Sequence, residues 1–149
     1  MTISQMIDLL NADLKNEWKH LRFYAHHASA ITGLHAHEYK ELLTEQARSE
    51  LAHVIQFSDM IIGLGGTPTT ESNDFPQLTD ALEIMVYAVG MEDEVVLNYA
   101  QRIKQLDQIL DDEAGRVVAD KRWIEIFLEK QIEDSRQDLD HFKQLLKGL

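Results

Sequence analysis

Apolar residues recur every three or four positions through four long stretches of this chain, and very little interrupts them. The first stretch, 3–32, carries Ile7, Leu10, Leu14, Leu21, Tyr24, Ala28 and Ile31 on one stripe. The second, 37–64, carries Leu43, Ala47, Val54, Phe57, Ile61 and Leu64. The third, 76–110, carries Leu82, Met85, Val89, Val96, Tyr99, Ile103 and Leu106; the fourth, 114–146, carries Val117, Ile124, Leu128, Leu139, Phe142 and Leu146. That period is an amphipathic helix, and stripes of this width suit the core of a bundle. Two prolines and seven glycines are too few to punctuate many short strands. The expected fold class is all-α, with residues 1–149 forming a single domain of four helices.

The connections constrain the topology. Helices one and two are joined by a few residues around Gly33, and three and four by a few around Gly115, which makes antiparallel neighbours. Between helices two and three lies the turn-rich segment 65–75. Extended at about 3.3 Å per residue it reaches roughly 35 Å, close to the length of a helix of this size. The third helix can therefore start at the far end. We expect an antiparallel four-helix bundle with a long crossover between helices two and three; a simple up-down-up-down bundle would not need so long a link.

Asp plus Glu number 26 against 14 Lys plus Arg, for a formal net charge of −12. That charge repels phosphate backbones and anionic lipid and attracts cations, so no nucleic-acid and no membrane partner is expected. No apolar run approaches the roughly 20 residues of a membrane helix, and the first residues lack the pattern of a signal peptide. The chain has no cysteine. This excludes disulfides, thiolate zinc sites, iron–sulfur clusters and cysteine nucleophiles, and is compatible with the reducing cytoplasm, the expected location.

Polar residues occupy positions where the stripes call for leucine. Glu17 lies between Leu14 and Leu21, Glu50 between Ala47 and Val54, and Glu92 between Val89 and Val96. An ionised glutamate alone in an apolar core is costly or is forced to protonate. No Lys or Arg shares the inward stripes nearby, and counting from the helix ends puts all three glutamates near mid-bundle. His53, three residues after Glu50, projects from the same face. Carboxylates with imidazole suit iron, manganese or zinc, and the mixture favours iron-type chemistry; Glu-x-x-His is a ligand pattern of di-iron and di-manganese bundles. His20, three residues after Glu17, is either an extra ligand or, the reading preferred, a partly buried hydrogen-bonded side chain. His26, His27, His35 and His37 read as a solvated group at the first turn, Trp18 and Trp123 as packing or interface residues, and Asp111-Asp112-Glu113 as a solvated acidic turn.

Over nearly its whole length the chain resembles the ferritin-like superfamily, nearest to bacterioferritins and the ferritin-like domain of rubrerythrins. Glu17 followed by Tyr24 resembles the first-helix ligand and its tyrosine. Glu50-Leu51-Ala52-His53, 33 residues after Glu17, resembles the bridging glutamate and its histidine. Glu92 with Val96 and Tyr99 resembles the third-helix glutamate, and Gly63-Leu64-Gly65-Gly66-Thr67-Pro68 the turn after helix two. The resemblance implies iron bound by Glu17, Glu50, His53 and Glu92 and oxidised by O₂ or peroxide. Glu50 would bridge, and Tyr24 would hydrogen-bond nearby or act as a redox neighbour.

Helix four departs from the family pattern. Aligned on Leu139, Phe142 and Leu146, it has Ser135 and Asp138 where the family repeats Glu-x-x-His. Ser135 lies 43 residues after Glu92, which makes the second hairpin the longer one and leaves Gln131 as an alternative. Glu133 shares a solvent face with Gln137, Asp140 and Gln144. Asp138 can bind a metal and Ser135 is a poor ligand, so one tight and one weak ion are expected. Leu51 stands where haem-binding bacterioferritins have Met, so no haem is expected. The chain stops at Leu149, without the short fifth helix of 24-subunit ferritins. With Trp18, Phe23 and Tyr39 offering apolar surface on the first hairpin, the expected assembly is a homodimer. A rubrerythrin-type peroxidase would need an external electron donor in place of a Cys₄ domain. The reading of a different class is a degenerate bundle with a non-catalytic assembly or partner-binding role.

Overall fold

A computed structural model describes all 149 residues. It contains four long helices, α1 (Ile3–Ala30), α2 (Ala36–Gly63), α3 (Ala81–Gln105) and α4 (Arg116–Leu146), with a 3-10 turn, Leu106–Gln108, after α3. Thr2 opens α1 with a reciprocal capping box to Gln5. The third helix is shorter than the 76–110 expected. It starts after Asp80, whose carboxylate accepts the Glu83 N–H at 3.1 Å and so caps the helix. It ends early because the 3-10 turn leads into extended Ile109, which turns inward and is buried. Gly115, at φ 77°, precedes α4 in a left-handed conformation that favours glycine. Asp112 of the acidic turn accepts the Val117 N–H at 3.1 Å, so that turn also helps to start α4.

The segment from Leu64 to Asp80 is the long crossover, and it is stitched along α1. The Asn11 amide bonds the Thr67 carbonyl and the Thr69 N–H, the Trp18 indole donates to the Thr69 carbonyl at 3.0 Å, and the Leu78 N–H donates to His27 Nε2 at 3.0 Å. The Thr32 N–H reaches the Thr79 carbonyl at 2.9 Å. Helix α3 therefore begins beside the end of α1 and runs back against it. Links such as Asp13 to Arg102 and Tyr24 to Glu92 join α1 to α3, and Gln46 to Asp138 and Gln56 to Gln131 join α2 to α4. This is the crossover bundle the link length predicts. No helix is long and apolar enough to cross a membrane.

The core is divided in two. One apolar cluster gathers Leu10, Leu14, Phe57, Ile61, Tyr99 and Leu128. The other gathers Phe23, Tyr24, Leu43, Met85, Met91 and Phe142. Most of the buried polar residues fall between the two clusters: Glu17 and His20 on α1, Gln46, Glu50 and His53 on α2, Glu92 on α3, Gln131 and Ser135 on α4; Asp13 and His27 of α1 lie outside this band. A polar belt crosses the middle of the bundle.

Two surface expectations are corrected. Phe23 is not on the outer face of the first hairpin; it is fully buried, its ring stacked on Tyr87 with centroids 4.9 Å apart. Trp18 and Tyr39 pack against the core. The outward apolar residues of α2 are Leu51, Ile55 and Ile62, which are 46%, 52% and 60% exposed. Trp123 packs on Gly63, where a Cβ would stand 2.7 Å from its ring. His26, His35 and His37 are exposed as expected, but His27 is buried. Its Nδ1 donates to the Phe23 carbonyl at 2.8 Å, which leaves Nε2 to accept from Leu78. Period alone cannot tell His27 from His26, because the crossover that covers it comes from a distant segment.

Burial holds the His27 imidazole below its ordinary pKa. A depressed pKa means the folded state holds fewer protons than the unfolded chain, so the stability His27 provides is complete above about pH 6.5 and is lost as the pH falls below it. His27→Ala should cost about 1–3 kcal/mol near pH 8. The gap between wild type and variant should narrow toward pH 5, as measured by urea unfolding at both pH values.

Candidate metal centre

The belt's glutamates sit one per helix on α1, α2 and α3, each at most 1% exposed. Glu50 stands between the other two. Its Oε2 lies 3.1 Å from His53 Nδ1, and that same nitrogen is 3.8 Å from Glu17 Oε2. Its Oε1 faces the other way, 3.9 Å from His20 Nδ1, which is also 3.9 Å from Glu92 Oε1. Two buried triads result, Glu17–Glu50–His53 and His20–Glu50–Glu92, each with donor atoms within 4.8 Å of one another. Glu50 belongs to both. Donors around one first-row cation, at about 2.0–2.2 Å, stand no more than about 4.4 Å apart, so these four imidazole-to-carboxylate distances are all compatible with a shared ion.

Hydrogen bonds satisfy only part of the belt. Tyr99 donates to Glu17 Oε1 and Tyr24 donates to Glu92 Oε1, the latter at 2.8 Å. Glu17 Oε2, Glu92 Oε2 and His20 Nε2 are buried with no partner. The only other such atom is Gln131 Oε1, also in the belt. Buried polar atoms are ordinarily paired, and here the unpaired ones are carboxylate oxygens clustered around imidazoles. Arg102, the half-buried cation nearest in sequence to α3's glutamate, is committed elsewhere, bonding both oxygens of Asp13 at 2.8 Å. The donor set fits a pair of hard or borderline cations.

The electrostatics say the same. Burial, and then repulsion from Glu50, pushes the Glu17 and Glu92 carboxyls well above the ordinary range. Burial also acts on Glu50, but the flanking imidazoles of His20 and His53 outweigh it and hold that carboxylate below its usual range. Burial lowers His53, yet Glu50 more than compensates and its pKa ends raised. Burial, with Glu92 beside one and Glu17 beside the other, raises Tyr24 and Tyr99 far above an ordinary phenol. Both tyrosines are therefore protonated donors that orient a glutamate.

Helix α4 presents the residues its alignment puts inward. Ser135 is 2% exposed and Gln131 fully buried, while Glu133 is on the solvent face. Gln131 is engaged by Gln56 at 3.0 Å. Asp138 is half-buried, its Oδ2 accepting from Gln46 at 2.8 Å, and it joins neither triad. Burial raises its carboxyl as well. Three residues stand in roles beyond those expected from the sequence. His20 is buried in the second triad, where the preferred expectation is a hydrogen-bonded, partly buried side chain. Tyr99 anchors Glu17 just as Tyr24 anchors Glu92. Asp134 brings Oδ2 to 3.7 Å from His53 Nε2, the nitrogen that faces away from the triad. The signal for His20 is present in its spacing, since Glu17-x-x-His20 repeats Glu50-x-x-His53.

Known proteins share this architecture. A ferritin-like, diiron-carboxylate protein from Bacillus anthracis str. Ames is 26% identical, with a TM-score of 0.83 over 97% of this chain and 96% of that one. The Desulfovibrio desulfuricans bacterioferritin, described with its diiron site in different catalytic states, is 20% identical, with a TM-score of 0.81 over 97% and 80%. A dodecameric thioferritin, the bacterioferritin-related protein from Bacteroides fragilis, is 20% identical, with a TM-score of 0.64 over 100% and 92%. No curated protein sequence matches the chain. Residues 7–149 match the family described as Ferritin, the ferritin-like domain. With four long helices in crossover order and a carboxylate belt at their centre, this chain belongs to the ferritin-like family.

Proposed function

We propose that the protein binds iron at a carboxylate-bridged di-metal site and oxidises Fe²⁺ there. The observation that carries this reading is Glu50, whose two oxygens are divided between two buried triads of donors. Glu17 and His53 would hold one ion, Glu92 the other, and Glu50 would bridge them. Two Fe²⁺ bound there would supply one electron each, enough to convert O₂ and two protons to H₂O₂, or H₂O₂ and two protons to two waters. The chain's part is to position and to exclude water. Tyr24 and Tyr99 keep Glu92 and Glu17 aimed inward, Asp134 faces the outer nitrogen of His53, and the two apolar clusters seal the belt from either end. Asp138, half-buried beside Gln46, lies at the margin, where it can attract incoming cations. A degenerate bundle without metal chemistry would draw support from the Ser135 and Asp138 of α4, but it leaves the unpaired carboxylate oxygens unexplained.

We also propose a homodimer, paired through the exposed Leu51, Ile55 and Ile62 face of α2, a two-fold dimer being the commonest closed assembly. Light scattering should report twice the 17.1 kDa chain mass. A mass of about twelve or 24 chains would contradict the pairing.

Glu50→Ala should abolish tight Fe²⁺ uptake and oxidation, followed by metal analysis and by the absorbance of Fe³⁺ formed in air. Retention of both would place the chemistry elsewhere. Without metal the same variant should be as stable as wild type or more so, since it removes a buried charge.

Burial, and then Glu50, raise the Glu17 and Glu92 carboxyls and so favour their protonated forms, whereas a bound cation needs them ionised. Anaerobic Zn²⁺ binding should therefore release protons and tighten as the pH rises from 6 toward 8. Calorimetry in buffers of different ionisation heat measures the release. Binding that releases none would contradict a carboxylate site of this kind.

A further inference from the structure

We propose that His20 is a metal ligand and completes the second position of the pair, which α4 leaves without an imidazole. The inference rests on the two-ion reading above and concerns which side chain finishes its second site.

His20 is 1% exposed, and neither of its nitrogens makes a hydrogen bond. Nε2 has no partner. Nδ1 sees Glu50 Oε1 and Glu92 Oε1, both at 3.9 Å, beyond hydrogen-bonding distance. His27, two turns along the same helix, shows what a buried structural histidine looks like here: its nitrogens are bonded at 2.8 and 3.0 Å. His20 as an imidazolium counter-ion fits no better, because charge-assisted bonds close to about 2.7–2.9 Å. An imidazole nitrogen 3.9 Å from each of two carboxylate oxygens, too far from either to bond directly, with the three donors within 4.8 Å of one another, is arranged for a cation between them.

The rest of the belt repeats the pattern. Glu17-x-x-His20 on α1 matches Glu50-x-x-His53 on α2, the spacing that puts both side chains on one helical face. Tyr99 anchors Glu17 on one side and Tyr24 anchors Glu92 on the other. Each ion would receive one histidine Nδ1, one terminal glutamate and one oxygen of Glu50. On α4 the nearest candidates are occupied or poor: Gln131 bonds Gln56, Asp138 bonds Gln46, and Ser135 is a weak donor to a metal. Two positions of equal donor count follow, where the residues of α4 alone would give one strong and one weak.

The test is an anaerobic Zn²⁺ titration of the intact protein, read by calorimetry and by ¹⁵N NMR of labelled histidines. Wild type should bind two Zn²⁺ per chain, and the Nδ1 resonances of both His20 and His53 should move. His20→Gln should weaken one step by about tenfold or more while His53 still responds. The wild-type resonances decide the matter even if the variant folds poorly. Two ions bound with an unmoved His20 resonance, or a second step lost in Asp138→Asn and not in His20→Gln, would overturn the role of His20 and leave the two-ion site standing. A wild-type protein that binds no Zn²⁺ and oxidises no Fe²⁺ would overturn both.

Discussion

Three glutamates held within a few ångströms of one another in a sealed helical core set the terms for everything else in this molecule. An isolated buried carboxylate costs several kcal/mol even after relaxation, and each neighbour of the same sign adds to it. Most bundles would meet this with a lysine or an arginine. Here the one arginine close by is spent on Asp13, and the groups that face the glutamates are imidazoles and phenols. Without metal, burial and mutual repulsion push Glu17 and Glu92 toward their protonated forms, while the imidazoles of His20 and His53 favour an ionised Glu50. Divalent cations bound as proposed would remove the conflict, with the three carboxylates serving as ligands.

The architecture serves that arrangement. Apolar clusters above and below the belt supply the burial that makes the site dry. The crossover, stitched to α1 through Asn11, Trp18, His27 and Thr32, lets α3 enter from the end that brings Glu92 level with Glu17 and Glu50. With a short link instead, α3 would run the other way and its order of residues along the bundle would be reversed. The tyrosines then act across the α1–α3 contact, each from one helix onto the glutamate of the other.

Most of this is legible in the sequence. Glutamates on otherwise apolar stripes mark a site because nothing else justifies them there, and the length of the crossover follows from chain geometry. What the sequence leaves hidden is decided by contacts between distant segments. Whether a histidine at the flank of a stripe is buried depends on the neighbouring helix or loop, so His20 and His27 read as ordinary polar residues until α3 and the crossover cover them. Phe23 reads as surface for the same reason, its partners Tyr87 and Phe75 lying far along the chain. The start of α3 is set by a cap at Asp80 and a backbone bond to Thr32, which apolar period does not register.

Anomalous diffraction at the iron edge, from crystals grown anaerobically with Fe²⁺, tests the central claim most directly. A bridging Glu50 predicts two peaks in the belt, one on each side of its carboxylate, separated by about 3.5–4 Å. Iron found only among the surface carboxylates, with the belt empty, would contradict it.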